Sequence, residues 1–218
     1  MINLIKKIFN NFKEKRKFKK SLKHLNSGEY LKAEKIMNGL LDSNVLDLKM
    51  LYFNYASALI ANEKFIQAKK YLKKAIKKDK SIDFFWGTLA EVNILKKEWK
   101  NAEKNLKKAI KLEPNKKNYQ NKLEIVRGDK TIKDNYFKYY DLIKKAIKIQ
   151  KEEKWKKSIE LFKKSLDYYD KMGYAYNQIG AIYNNNLGEK KKALKYFRLA
   201  LEKEPNNQMF KMNLKRIR

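Results

Sequence analysis

The sequence predicts an all-α protein: an α-solenoid of about five helical hairpins with capping helices. Three observations predict it. Turn-formers are scarce, with 2 Pro and 7 Gly in 218 residues, whereas sheet folds need Gly, Asn-Gly and Pro at short intervals. One pattern recurs: EYLKAEKIMNGLL, KFIQAKKYLKKAI, EWKNAEKNLKKAI, KWKKSIELFKKSL and KKKALKYFRLALEKEP align on Ala33, Ala68, Ala102, Ser158 and Ala193, spaced 35, 34, 56 and 35 residues apart. Four residues after each of these small anchors stands Met37, Leu72, Leu106, Phe162 or Phe197. Seven after stands Leu40, Ala75, Ala109, Ser165 or Ala200, so each segment has one apolar helical face.

In chain order, residues 1–13 come first. At 100° per residue, Met1, Ile2, Leu4, Ile5, Ile8, Phe9 and Phe12 fall within an arc of about 160°, opposite Lys6, Lys7 and Lys13. This amphipathic helix either caps the first hairpin, lies on an anionic membrane surface or docks to another protein. Residues 14–128 hold three hairpins and a capping helix. Upstream of the anchors a second pattern places large, large, small and large residues at offsets 0, 3, 4 and 7: Tyr52, Tyr55, Ala56, Leu59, then Trp86, Leu89, Ala90, Asn93. The first copy is degenerate, with Phe18, Ser21, Leu22 and Leu25 fitting a turn one residue shorter. Pro114, twelve residues after Ala102, stops its helix, and NYQNKLEIV follows as a cap. Residues 129–135 read as a joint, and 136–218 as two further hairpins and a C-terminal cap carrying Phe210 and Leu214. The fourth copy has Leu142, Lys145, Ala146 and Ile149, and the fifth Tyr176, Ile179, Gly180 and Tyr183 with one extra residue in its turn. Alternatively, residues 116–150 form a distorted repeat within one continuous superhelix; periodicity leaves both arrangements open.

The unit resembles the tetratricopeptide repeat, in which an aromatic, Leu-Gly and Tyr are followed after a turn by Ala, Phe and Pro. Tyr176, Ile179, Gly180, Tyr183, Ala193, Phe197, Ala200 and Pro205 carry the fullest match, over a resemblance reaching from about residue 16 to 205. It implies a non-enzymatic protein–protein interaction scaffold whose first helices line a concave groove for a peptide or helix of a partner.

Composition excludes much else. No cysteine and one histidine leave no thiolate chemistry and no imidazole cluster, and no phosphate-loop, dinucleotide, metalloprotease or nucleophile-elbow motif occurs, so neither an enzyme nor a cofactor or metal is expected. No apolar run of about 18 residues spans a membrane, and no signal peptide is legible; the expected compartment is the cytoplasm. Lys+Arg 54 against Asp+Glu 24 gives a net charge of +30, and all but five of those cations are lysine. Lysine is a solvated point charge rather than the bidentate fork of arginine, so the excess predicts general attraction to anions. Nonspecific binding to nucleic acid or the ribosome, and peripheral contact with an anionic membrane, therefore stand as alternatives. Arg127-Gly128-Asp129 spells an adhesion tripeptide, but it falls where the joint is expected and is read as a chance match.

Transferring the groove positions of the family gives the candidate partner-binding residues. Arg16, Lys19, Lys20 and Lys23 form a cationic stripe at helical spacing, followed by Phe53 and Asn54, then Phe84. The later copies contribute Tyr140 and Lys144, then Tyr174, Asn177 and Gln178. Such a groove, aromatic and amide-rich with cations at one end, suits an extended segment carrying acidic residues. Packing between adjacent repeats is the competing reading for Phe53, Phe84 and Tyr140. A chaperone-tail clamp is not predicted: Lys19 and Asn54 fit it, while Lys23, Phe84 and Thr88 do not.

Overall fold

The computed structural model describes residues 2–217, and side chains from residue 10 onward. Among the described residues there are twelve α-helices and no strand. The chain divides into two compact units, Met1–Leu112 and Glu113–Arg218.

The first unit is three hairpins: α1 (Ile2–Asn26) with α2 (Tyr30–Asn38), α3 (Leu48–Ala61) with α4 (Phe65–Lys78), and α5 (Asp83–Leu95) with α6 (Trp99–Leu112). The anchors Ala33, Ala68 and Ala102 are fully buried, as are Met37, Leu72 and Leu106 one turn on. Small residues facing large ones let two helices approach and interdigitate, which is how the alternation in sequence becomes packing. Helices α3 and α5 touch neighbours on both sides and are apolar nearly all round; α4 and α6 have a wet face, where their lysines sit.

Each hairpin turns through one residue with positive φ, five positions before its anchor: Gly28, Glu63, Lys97, Glu153 and Gly188. The next N–H reaches back across the turn, as Lys64 N to the Leu59 carbonyl at 2.8 Å and Glu98 N to the Asn93 carbonyl at 2.8 Å, satisfying carbonyls the helix end would otherwise strand.

The second unit contains α7 (Lys117–Arg127), the hairpin of α8 (Lys130–Lys151) with α9 (Trp155–Leu166), the hairpin of α10 (Gly173–Asn185) with α11 (Lys190–Lys203), and α12 (Gln208–Ile217). Ser158 occupies the small anchor position of α9, its hydroxyl donating to the Ala146 carbonyl at 3.0 Å, so a polar residue is buried without loss. At Gly180, where other copies carry Ala56, Ala90 and Ala146, a Cβ would lie 2.8 Å from the Phe197 ring.

Three expectations about boundaries need correction. No joint occupies 129–135: Asp129 is the N-cap of α8, its carboxylate accepting from Ile132 N at 2.9 Å, and the helix runs on from Lys130. That cap is also the structural use of the 127–129 tripeptide. The helix expected to cap the first three hairpins, α7, belongs to the second unit. Asn121 Nδ2 donates to the Lys171 carbonyl at 2.7 Å and Asn118 Nδ2 to Glu204 Oε1 at 3.3 Å, tying α7 to the segments entering α10 and leaving α11. Finally, α1 continues unbroken through residue 13, and Glu14 accepts from the Ser43 hydroxyl at 2.6 Å. The apolar arc expected at 1–13 falls mostly on Met1 and on side chains outside those described; Phe12, which is described, is 70% exposed.

Candidate functional site

In the first unit, α1, α3 and α5 carry the residues expected to line the groove. Arg16, Lys19, Lys20 and Lys23 are exposed and, with Leu22 and Asn26, border an open hollow of about 590 Å³. None of the four has an acidic partner among the described residues, so their mutual repulsion along one helix face is uncompensated.

Phe53 and Phe84 are both half-buried, their ring centroids 4.8 Å apart edge to face. The buried Phe85 completes a three-ring cluster, 5.3 Å from Phe53 and 5.0 Å from Phe84. Such pairs add stability beyond their buried area, so these rings pack adjacent repeats together and still present part of their surface. Asn54 Nδ2 donates to the Met50 carbonyl at 2.8 Å, holding the amide on its own helix.

In the second unit Tyr140 lies 6.5 Å from Tyr136 in an aromatic group that also takes in Tyr139 and Tyr169. Burial raises the Tyr169 phenol well above the ordinary tyrosine range, with Glu124 and Asp170 adding to it. Lys144 is exposed; Tyr174 and Gln178 are half-buried. Asn177 departs from expectation: it is 3% exposed, and its Oδ1 accepts from Asn213 Nδ2 at 2.9 Å. It occupies the register position of Phe53, and that position faces the helix after it, α12 here and α5 there. Asn177 is thus spent inside the fold.

Ion pairs between helices are concentrated where hairpins join. Asp79, entering α5, accepts from the Ser81 hydroxyl at 2.6 Å and from Lys49 Nζ at 3.0 Å. Those two partners hold its carboxyl at about 2. At the first hairpin turn Glu29 bonds Lys32 and His24, and is likewise lowered to about 2. Among the described residues no group of three or more His, Cys, Asp or Glu could hold a metal ion, and no helix is long and apolar enough to cross a membrane.

Sequence reasoning did not single out the opposite face of the first unit, where lysines of α4 and α6 flank a cleft floored by Asn93 and Asn105. The signal was present as two asparagines at register positions that are mostly apolar in the other copies.

Residues 51–81 and 173–207 match the tetratricopeptide repeat family. No curated protein matches the sequence. Similar solved structures include MamA of MSR-1, 16% identical over 88% of this chain and 96% of its own, with a TM-score of 0.47. A structure described as MamA protein is 20% identical over 90% of this chain and 94% of its own, with a TM-score of 0.49. A thermophilic TPR protein of Thermus thermophilus is 15% identical over 94% of this chain and 98% of its own, also at 0.49. Two hairpins, α3–α4 and α10–α11, thus match the tetratricopeptide repeat family in sequence.

Proposed function

We propose that this protein is an interaction scaffold that takes an extended or helical segment of a partner protein on the face formed by α1, α3 and α5. The observation that carries the reading is the segregation of chemistry on that face. Phe53 on α3 and Phe84 on α5 present aromatic surface, and α5 carries no lysine or arginine, while Arg16, Lys19, Lys20 and Lys23 gather cations without an acidic partner among the described residues on α1. Aromatic anchors supply area at low entropic cost, and the charges select acidic residues and speed encounter. In the second unit Tyr140, Lys144, Tyr174 and Gln178 offer a smaller surface of the same kind.

Peptide-array screening of the full chain tests it. Peptides combining acidic and large apolar residues are expected to bind, and K19E/K20E/K23E to weaken them by about tenfold or more at low salt. F84A is expected to lower affinity for the same peptides at every salt concentration. Selected peptides indifferent to both variants would remove the groove from the account.

A further inference from the structure

On the opposite face of the first unit, α4 and α6 flank a cleft of about 340 Å³. Lys73 from α4 and Lys104 from α6 stand on its rim, exposed and without an acidic partner among the described residues. Lys108 lies over the Trp86 ring at 4.3 Å from its centroid. The cleft adjoins a second hollow of about 560 Å³ along α4, and both share Lys73.

The floor is unusual for this chain. Counting back nine residues from the anchor gives Leu59 in α3 and Ile149 in α8, and the equivalent place in α10 is Tyr183; in α5 it is Asn93. Three residues after the anchor the other copies carry Ile36, Tyr71, Leu161 and Tyr196, while α6 carries Asn105. The one other polar residue in the first series, His24, is paired with Glu29. Asn93 is 2% exposed and its Oδ1 has no hydrogen-bond partner. A buried amide oxygen without a donor is destabilising, and the neighbouring hairpins show that folding does not require one at this position.

An unpaired acceptor below a rim of cations is matched by a ligand that is anionic at one end and carries an N–H donor at the other. A nucleotide has both, in its phosphate and in an exocyclic base amine, and asparagine is a natural partner of the adenine amino group. An acidic peptide also has N–H groups, but in a line that calls for a line of acceptors, whereas this floor offers a single unpaired oxygen beside an indole ring that can flank a base. The lysine stems above it, four carbons long and rotatable, can part to admit one.

We propose that the α4–α6 cleft binds a nucleotide unit, its phosphate on Lys73 and Lys104 and an amine-bearing base on Asn93 Oδ1. The unit is either free or part of a single strand whose backbone continues over the lysines of α4. The site is independent of the groove on the other face.

The test is fluorescence anisotropy of the full chain with labelled oligoadenylate and oligouridylate of equal length, over a range of salt. Oligoadenylate is expected to bind about fivefold tighter, the worth of roughly one hydrogen bond. N93L, an apolar replacement of similar shape, is expected to keep the melting temperature and abolish that preference. K73E/K104E is expected to weaken both oligomers and lower the salt slope by about 0.7, the worth of the one phosphate the two lysines share on a single strand. K156E/K163E on α9 serves as the charge control and should leave the adenine preference intact. Displacement by ATP at low concentration identifies the free nucleotide as sufficient; binding of oligoadenylate without such displacement identifies the strand. The proposal is overturned if neither oligomer binds at low salt, if N93L keeps the preference, if no preference exists, or if polyglutamate displaces oligoadenylate as well as unlabelled oligoadenylate does.

Discussion

Hairpins α5–α6 and α10–α11 share a backbone and differ in the side chains that close it beside the turn. In α10–α11 the rings of Tyr183 and Tyr196 stack at 5.7 Å, with Lys192 Nζ 5.3 Å from the Tyr183 centroid. In α5–α6 the same two positions hold Asn93 and Asn105, and a cleft opens where the rings would be. The small anchors and the large residue one turn on are kept in both, as Ala102 with Leu106 and Ala193 with Phe197, and all four are buried. The backbone therefore depends on those contacts, and the positions beside the turn are at liberty to carry chemistry.

The largest expected effect tests that division directly. Phe197→Ala should destabilise by about 3–5 kcal/mol and Leu106→Ala by about 2–5, through lost burial and the cavity left behind. Urea unfolding followed by circular dichroism reads both. Losses below about 1 kcal/mol would mean that the shared contacts are not what holds either hairpin.

Next comes the pairing of Gly180 with Phe197. Because a Cβ at 180 would meet the Phe197 ring at 2.8 Å, Gly180→Ala should cost about 1–3 kcal/mol by overpacking. The equivalent residue in α5 is already Ala90, opposite the smaller Leu106. Adding Phe197→Leu to Gly180→Ala should recover part of the loss, a non-additivity that a double-mutant cycle measures; simple additivity would show that the clash relaxes elsewhere.

The hairpins were legible in the sequence because their signal is periodic and repeated: Ala68, Leu72 and Ala75 announce a helix face whatever surrounds them. What was not legible depends on partners distant in sequence. The assignment of α7 turns on Asn118 and Asn121 meeting Glu204 and Lys171, polar contacts that leave no periodic trace. Asn177 looked like a groove amide because nothing local reveals that Asn213 would reach it. The mutual packing of Phe53, Phe84 and Phe85 joins two hairpins and leaves no local trace. The left-handed turns were marked by glycine at 28 and 188 and unmarked at Glu63, Lys97 and Glu153, where local hydrogen bonds impose the conformation on an ordinary residue.

Those unmarked turns give a smaller prediction. Glu153, between α8 and α9, sits at φ 58 where α10–α11 has Gly188 at φ 68. A non-glycine residue there costs about 1–2 kcal/mol, and glycine recovers it at an entropic cost of roughly 0.5–1. Glu153→Gly should therefore stabilise by about 0.5–1 kcal/mol, and Gly188→Ala should destabilise by a similar amount. Effects of the same sign in both would break the equivalence of the two turns.

The smallest effect concerns the ion pairs entering the two hairpins, Asp79 with Lys49 before α5 and Asp170 with Lys203 before α10. Asp79, held at about 2 by Ser81 and Lys49 against an ordinary 3.8, has a depressed folded value. Its contribution is therefore present above pH 3.8 and lost as the pH falls through about 2. Lys203 has the opposite sign: bonded to Asp170, its ammonium is raised above the ordinary 10.5, so its contribution is present below that value and fades only as the pH climbs past it. Asp79→Asn should flatten the fall in urea midpoint between pH 3.8 and 2 and, because Asp79 also raises the Lys49 ammonium, part of the alkaline limb, whereas Lys203→Met should flatten the alkaline limb. Both pairs are partly exposed and screened by salt, so both slopes should shrink at high ionic strength; a slope that ignored salt would mean that the hydrogen bonds from Ser81, rather than the charge of Lys49, carry the shift at Asp79.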